Sequence, residues 1–123
     1  MKPITAIFVP VDRLDPTELV VVDDYRQIQG YVGGTFDIAR GACVAPDGSG
    51  DLLPLSVYVN DEGLIFGMET NPRLSFVIGR RLVGPGLIAG GVDEEGNTLS
   101  VPAHYQQTID RRENRMAGLR DMS

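Results

Sequence analysis

The chain has little of what metal or thiol chemistry requires. Among 123 residues there is one cysteine, Cys43, and one histidine, His104. A single cysteine excludes an intramolecular disulfide and suits a reducing compartment. One thiol and one imidazole make no zinc site unless carboxylates complete it. No apolar run approaches the length of a membrane span. The opening stretch MKPITAIFVP is too short in its apolar part for a signal-peptide core, and its alternation reads as a strand. A cytoplasmic location is expected.

Basic charge is also scarce. The net charge is −6 and the pI about 4.6. That argues against general affinity for nucleic-acid phosphate or anionic lipid, though a local basic site remains open. No direct nucleic-acid partner and no membrane contact are expected. The charge is uneven. Residues 1–100 carry fourteen acids and seven bases (7 − 14 = −7), and the remainder three acids and four arginines (4 − 3 = +1).

What is present is a globular sequence, 42% apolar, with enough chain for one core. Residues 4–9 and 18–23 alternate as strands and suit a hairpin. Asp23 or Asp24 offers an N-cap for a short helix with Tyr25, Ile28 and Val32 at helical spacing, and Gly33-Gly34 stops it. Residues 35–45 and 52–60 read as strands around a Gly-rich loop. The second is expected to pair with Gly63–Gly67 across Asn60-Asp61-Glu62-Gly63. Residues 71–82 read as a helix with Leu74, Val77 and Ile78 inward. A last hairpin crosses Asp93–Asn97, and a terminal helix carries Tyr105, Ile109, Met116 and Leu119 on one face. The fold class is α+β: a mainly antiparallel sheet of about five to seven short strands, two short helices and a C-terminal helix. The division expected is one α+β domain over residues 1–102, then a C-terminal helix or partly ordered tail over 103–123.

Three stretches carry a family resemblance: YRQIQGYVGGTFDI, VYVNDEGLIFGMETNPRLS and LVGPGLIAGGVDEEG. In order and spacing they resemble the domain-of-unknown-function family DUF3846, encountered largely in bacteriophages and mobile elements. The matching positions are Gly33 and Gly34, then Asn60, Glu62 and Gly63, then Asn71, Pro72 and Arg73. The chain departs from the family pattern at Leu74-Ser75 and Gly84-Pro85, where Ala-Thr and Gly-Asp are usual. The resemblance implies a phage origin and a compact α+β fold, and grants no activity.

Candidate chemistry is thin. Cys43 lies among small and apolar residues, which suits a core cysteine, and His104 is read as facing solvent. A nucleophilic pair needs the imidazole in reach and a third group to orient it, and nothing local supplies these. The acidic runs Asp61-Glu62 and Asp93-Glu94-Glu95 lack the alternating oxygens of a calcium loop and read as solvated turns. No dinucleotide or P-loop fingerprint is present. Asn71-Pro72-Arg73 is the sharpest feature. Asn is a preferred N-cap and Pro suits the first helical position. Arg73 sits where the helix dipole disfavours a cation, so a carboxylate partner or a bound anion is expected beside it.

The first expectation is a non-enzymatic phage accessory protein. It would bind a host protein, a defence component among the candidates, and modulate or inhibit it through acidic turns and the Arg-bearing terminal helix. The alternative is a protein that binds or sequesters a nucleotide-like anion, using Asn71, Arg73, Gly33, Gly34 and Tyr31. No catalytic residue, metal or cofactor is expected. The apolar stripe of the terminal helix has no obvious place in a small core and suggests homo-oligomerisation.

Overall fold

The computed structural model describes residues 1–112. Five antiparallel strands form one sheet: β1 (Ile4–Val9), β2 (Glu18–Val22), β3 (Phe36–Val44), β4 (Leu52–Asn60) and β5 (Gly86–Ala89). Their spatial order is β2-β1-β5-β4-β3. Two strand pairs are hairpins of neighbours in sequence, Ile4 opposite Val22 and Phe36 opposite Asn60. β5 arrives last and closes the gap between them, with Ile88 opposite both Ile7 and Val57. Three helices accompany the sheet: α1 (Tyr25–Val32), α2 (Pro72–Ile78) and α3 (residues 105–112). The α+β expectation holds.

Successive side chains of a strand alternate between faces, so the two cores separate by parity. Ile7, Val9, Val57, Val59 and Ile88 point to one face, with Leu74 of α2 and with Tyr105 and Ile109 of α3. Ile4, Ala6, Leu87 and Ala89 point to the other, with Ile28 and Val32 of α1. Because both faces of the middle strands are covered, β5 and the end of β4 are buried without alternation.

The local signals for α1 are met. Asp24 is the N-cap, Gln27 completes a capping box, and Gly33 closes the helix in the left-handed region at φ 83. Two expectations fail. Gly63–Gly67 is a series of turns and not a strand. Both hydrogen-bonding edges of β4 are taken, by β3 on one side and β5 on the other, so no edge remains for a third partner. The apolar stripe of the terminal helix also has a place: Tyr105 and Ile109 are core residues beside Val101. Met116 and Leu119 lie outside the described residues. The last hairpin is reduced to backbone bonds linking Gly90 and Gly91 to Leu99 and Asp93 to Asn97, and one bridge, Val92 to Thr98.

Candidate binding surface

Asn71 is fully buried and uses its whole amide. Its Oδ1 accepts from the Leu74 backbone N–H at 3.2 Å, as an N-cap does. Its Nδ2 donates to the carbonyls of Val9 (3.1 Å), Pro10 (3.2 Å) and Gly84 (3.1 Å). Arg73 is 5% exposed. Its Nη1 donates to the Asp15 carbonyl at 2.8 Å, and its Nη2 to those of Pro10 and Asp12, both at 2.9 Å. Three backbone carbonyl dipoles thus offset the cation at the start of α2. Asn71 and Arg73 are buried clamps that fasten α2 to the β1–β2 connection.

Gly33 and Gly34 end α1, both donating their N–H to the Gln29 carbonyl. A Cβ on Gly34 would come within 3.1 Å of Asn60 Nδ2, which itself donates to the Val32 carbonyl. Their role is close approach of α1 to the end of β4. Tyr31 packs its ring on Phe8, centroids 5.0 Å apart. None of these five residues lines either of the two clefts described below.

The stretches flagged in the sequence nevertheless meet in space. The Met68 thioether runs among three glycines, one from each stretch. A Cβ on Gly33 would lie 3.7 Å from Met68 Cε, and Cβ atoms on Gly63 and Gly84 would lie 3.4 and 2.7 Å from its Sδ. Met68 thus ties the end of α1, the turn after β4 and the approach to β5 into one knot. A family model, Domain of unknown function (DUF3846), matches residues 4–113. The chain belongs to the DUF3846 family. Neither a curated protein nor a solved structure matches it.

In this DUF3846 protein the knot carries an exposed tip. Leu64, Ile65 and Phe66 are consecutive and are 71, 80 and 65% exposed. The turn beneath them is tied. Glu62 N–H donates to Asn60 Oδ1 at 2.7 Å, Phe66 N–H to the Glu62 carbonyl at 3.0 Å, and Met68 N–H to the Gly63 carbonyl at 2.9 Å. Thr35 donates its hydroxyl to Asp61 at 2.6 Å, fixing the turn's first residue. Beside the tip lies an open cleft of about 480 Å³, walled by Leu64 and Ile65, by Asp37 and Asp61, and by Arg80 and Arg81. Arg81 Nε donates to Thr70 Oγ1 at 2.8 Å. Sequence reasoning missed this tip because it read the same apolar residues as a strand. Three bulky apolar residues flanked by Gly63 and Gly67, between strands already paired, were the available signal.

A second cleft, about 690 Å³, lies between β3, α2 and α3 and brings Cys43 and His104 to one wall. His104 is half-buried, with Nε2 3.1 Å from the Val44 carbonyl. Among the described residues no hydrogen bond joins it to Cys43. Burial pushes the Cys43 thiol above its ordinary pKa, which disfavours the thiolate a nucleophile needs. Burial pushes the Tyr105 phenol up as well, with the Cys43 charge adding to it and Arg112 opposing.

Proposed function

We propose that this protein is a non-enzymatic accessory protein of a phage that binds a host protein and modulates it. The Leu64-Ile65-Phe66 tip makes the contact. The phage setting rests on the family resemblance. The binding role rests on one observation: three consecutive large apolar side chains held out in water by a hydrogen-bonded turn. Isolated exposed apolar residues are ordinary, but a contiguous set on an ordered support marks a contact surface. A tied turn loses little conformational entropy on docking.

Magnitudes set what the tip can do. Covering it would remove on the order of 300–400 Å² of mostly apolar surface, about 8–10 kcal/mol before costs. Association itself costs about 4–15 kcal/mol. The tip alone therefore gives a weak complex, and Arg80 and Arg81 at its flank supply the remainder. The partner is a protein with an apolar pocket and an acidic rim. The net charge of −6 disfavours an anionic lipid surface for the same tip.

Affinity capture from host lysate with wild type, Ile65→Asp and Glu94→Lys proteins, read by quantitative mass spectrometry, tests this. A partner depleted about tenfold or more by Ile65→Asp, and retained by Glu94→Lys on the remote turn, is the expected result. Equal recovery by wild type and Ile65→Asp rejects the tip as the contact.

A further inference from the structure

The cleft between β3, α2 and α3 has the opposite electrostatic character to the rest of the molecule. Arg111 and Arg112 both line it, and among the described residues no carboxylate stands in its lining. This occurs in a chain of net charge −6. The acid next in sequence, Asp110, is turned to the other side of α3, where the Thr17 hydroxyl donates to it at 3.1 Å. Two adjacent guanidiniums repel unless something negative lies between or beside them. Gln107 and Thr108 add an amide and a hydroxyl to the same wall.

An apolar surface lies across from them. Val44 and Phe76 line the cleft and are both largely exposed. The Arg112 guanidinium carbon lies 3.0 Å from the centroid of the Phe76 ring. A guanidinium stacked this way keeps its N–H edges free for a phosphate, and it donates in a planar fork that suits phosphate oxygens. The cleft's volume, about 690 Å³, is within the range of small-molecule sites. His104, through its contact with the Val44 carbonyl, fastens the start of α3 to the end of β3, so the two walls are held together.

We infer that this cleft binds a small phosphate ester, the phosphate held by Arg111 and Arg112 and the organic group laid against Phe76 and Val44. The site is separate from the Leu64–Phe66 tip and does not depend on it. Guanidinium pairs select a doubly charged group over a single carboxylate, and the apolar wall selects an ester over the inorganic ion.

Equilibrium dialysis on the full chain tests this with four probes: adenosine monophosphate, phenyl phosphate, inorganic phosphate and a short single-stranded oligonucleotide. Both esters are expected to bind, each about tenfold or more tighter than inorganic phosphate. Thr108→Glu, which places a carboxylate on the exposed wall of the cleft, is expected to weaken both esters about tenfold or more with an unchanged melting temperature. The Arg111→Ala/Arg112→Ala protein gives the same readout should Thr108→Glu not fold. Ile65→Asp leaves ester binding intact. No retention of either ester at millimolar concentration overturns the inference. So does equal binding of inorganic phosphate, tighter binding of the oligonucleotide than of the mononucleotide, or full ester affinity in both folded variants.

Discussion

Asn71 combines two roles in one amide, and they can be separated. Its oxygen caps α2 while its nitrogen donates to three carbonyls from two other segments. If capping were the whole role, Asn71→Asp would be near neutral, since Asp caps as well as Asn. A carboxylate cannot donate, and it would face three buried acceptors. Asn71→Asp is therefore expected to lose about 3 kcal/mol or more by urea denaturation, and more than Asn71→Ala. Arg73→Ala removes donors from the Pro10, Asp12 and Asp15 carbonyls. It should cost about 2–4 kcal/mol and speed limited proteolysis within residues 11–16. Cys43 and Tyr105 act at high pH. Both have folded pKa values raised by burial, so the folded state holds their protons more tightly. Their stabilisation is complete below the ordinary thiol and phenol range and is lost as pH rises through the folded values. Urea midpoints should fall above about pH 9, and less steeply in a Cys43→Ala protein. The residue types at positions 71 and 73 were legible as a helix start. Their partners were not, because Val9–Asp15 lies some sixty residues earlier in the chain.

Among the elements, those set by local rules were the easiest to read. The capping box and left-handed Gly33 define α1 from its own residues. Asn71 and Pro72 start α2 as read, but Gly79 ends it in the left-handed region, short of the expected end at Leu82. The turn after β4 was not legible, because its state depends on which strands β4 pairs with. Gly84 is where that turn meets β5, at φ 79 with Met68 Sδ alongside. Gly84→Ala adds both backbone strain and a contact with sulfur, and about 1–3 kcal/mol should be lost. The start of α3 was read as an apolar stripe with no obvious place in a small core, yet Tyr105 and Ile109 complete one face of that core. Tyr105→Ala should cost about 3–5 kcal/mol, measured as a fall in the urea midpoint. The turn at Asp93–Asn97 carries an acid-sensitive contact. Backbone N–H donation from Asn97 holds the Asp93 carboxyl below its usual pKa, and the Asn97 amide and the Glu95 N–H add to it. A lowered folded pKa gives stability above the unfolded value that is lost as pH falls through the folded one. Asp93 is half-buried in a surface turn, so the effect is confined to this turn.

The whole molecule is a sheet closed last at its centre. β1 with β2 and β3 with β4 are local hairpins, and β5 joins them as the middle strand, some twenty-six residues after β4 ends. A strand bonded on both edges and buried on both faces opens only with the global transition. Amide hydrogen exchange should therefore be slowest at Leu87 and Ile88 and fastest in the edge strand β2, whose Leu19 and Val21 are exposed. Equal protection of β2 and β5 would contradict this order. No helix among the described residues is long and apolar enough to cross a membrane. Apolar periodicity, caps and turn glycines are contacts within a few residues, and from them the sequence by itself determined the positions of β1 to β4, the helix starts and the α+β class. It also determined the excess of acid and the shortage of thiol and imidazole. Strand order depends on edges that distant segments compete for, and only the tertiary structure decided it. That competition turned an expected fourth hairpin arm into an exposed Leu-Ile-Phe tip. It brought the Pro10, Asp12 and Asp15 carbonyls to the Arg73 guanidinium. It also set Arg111 and Arg112 beside Phe76, which no reading of their separate neighbourhoods contained.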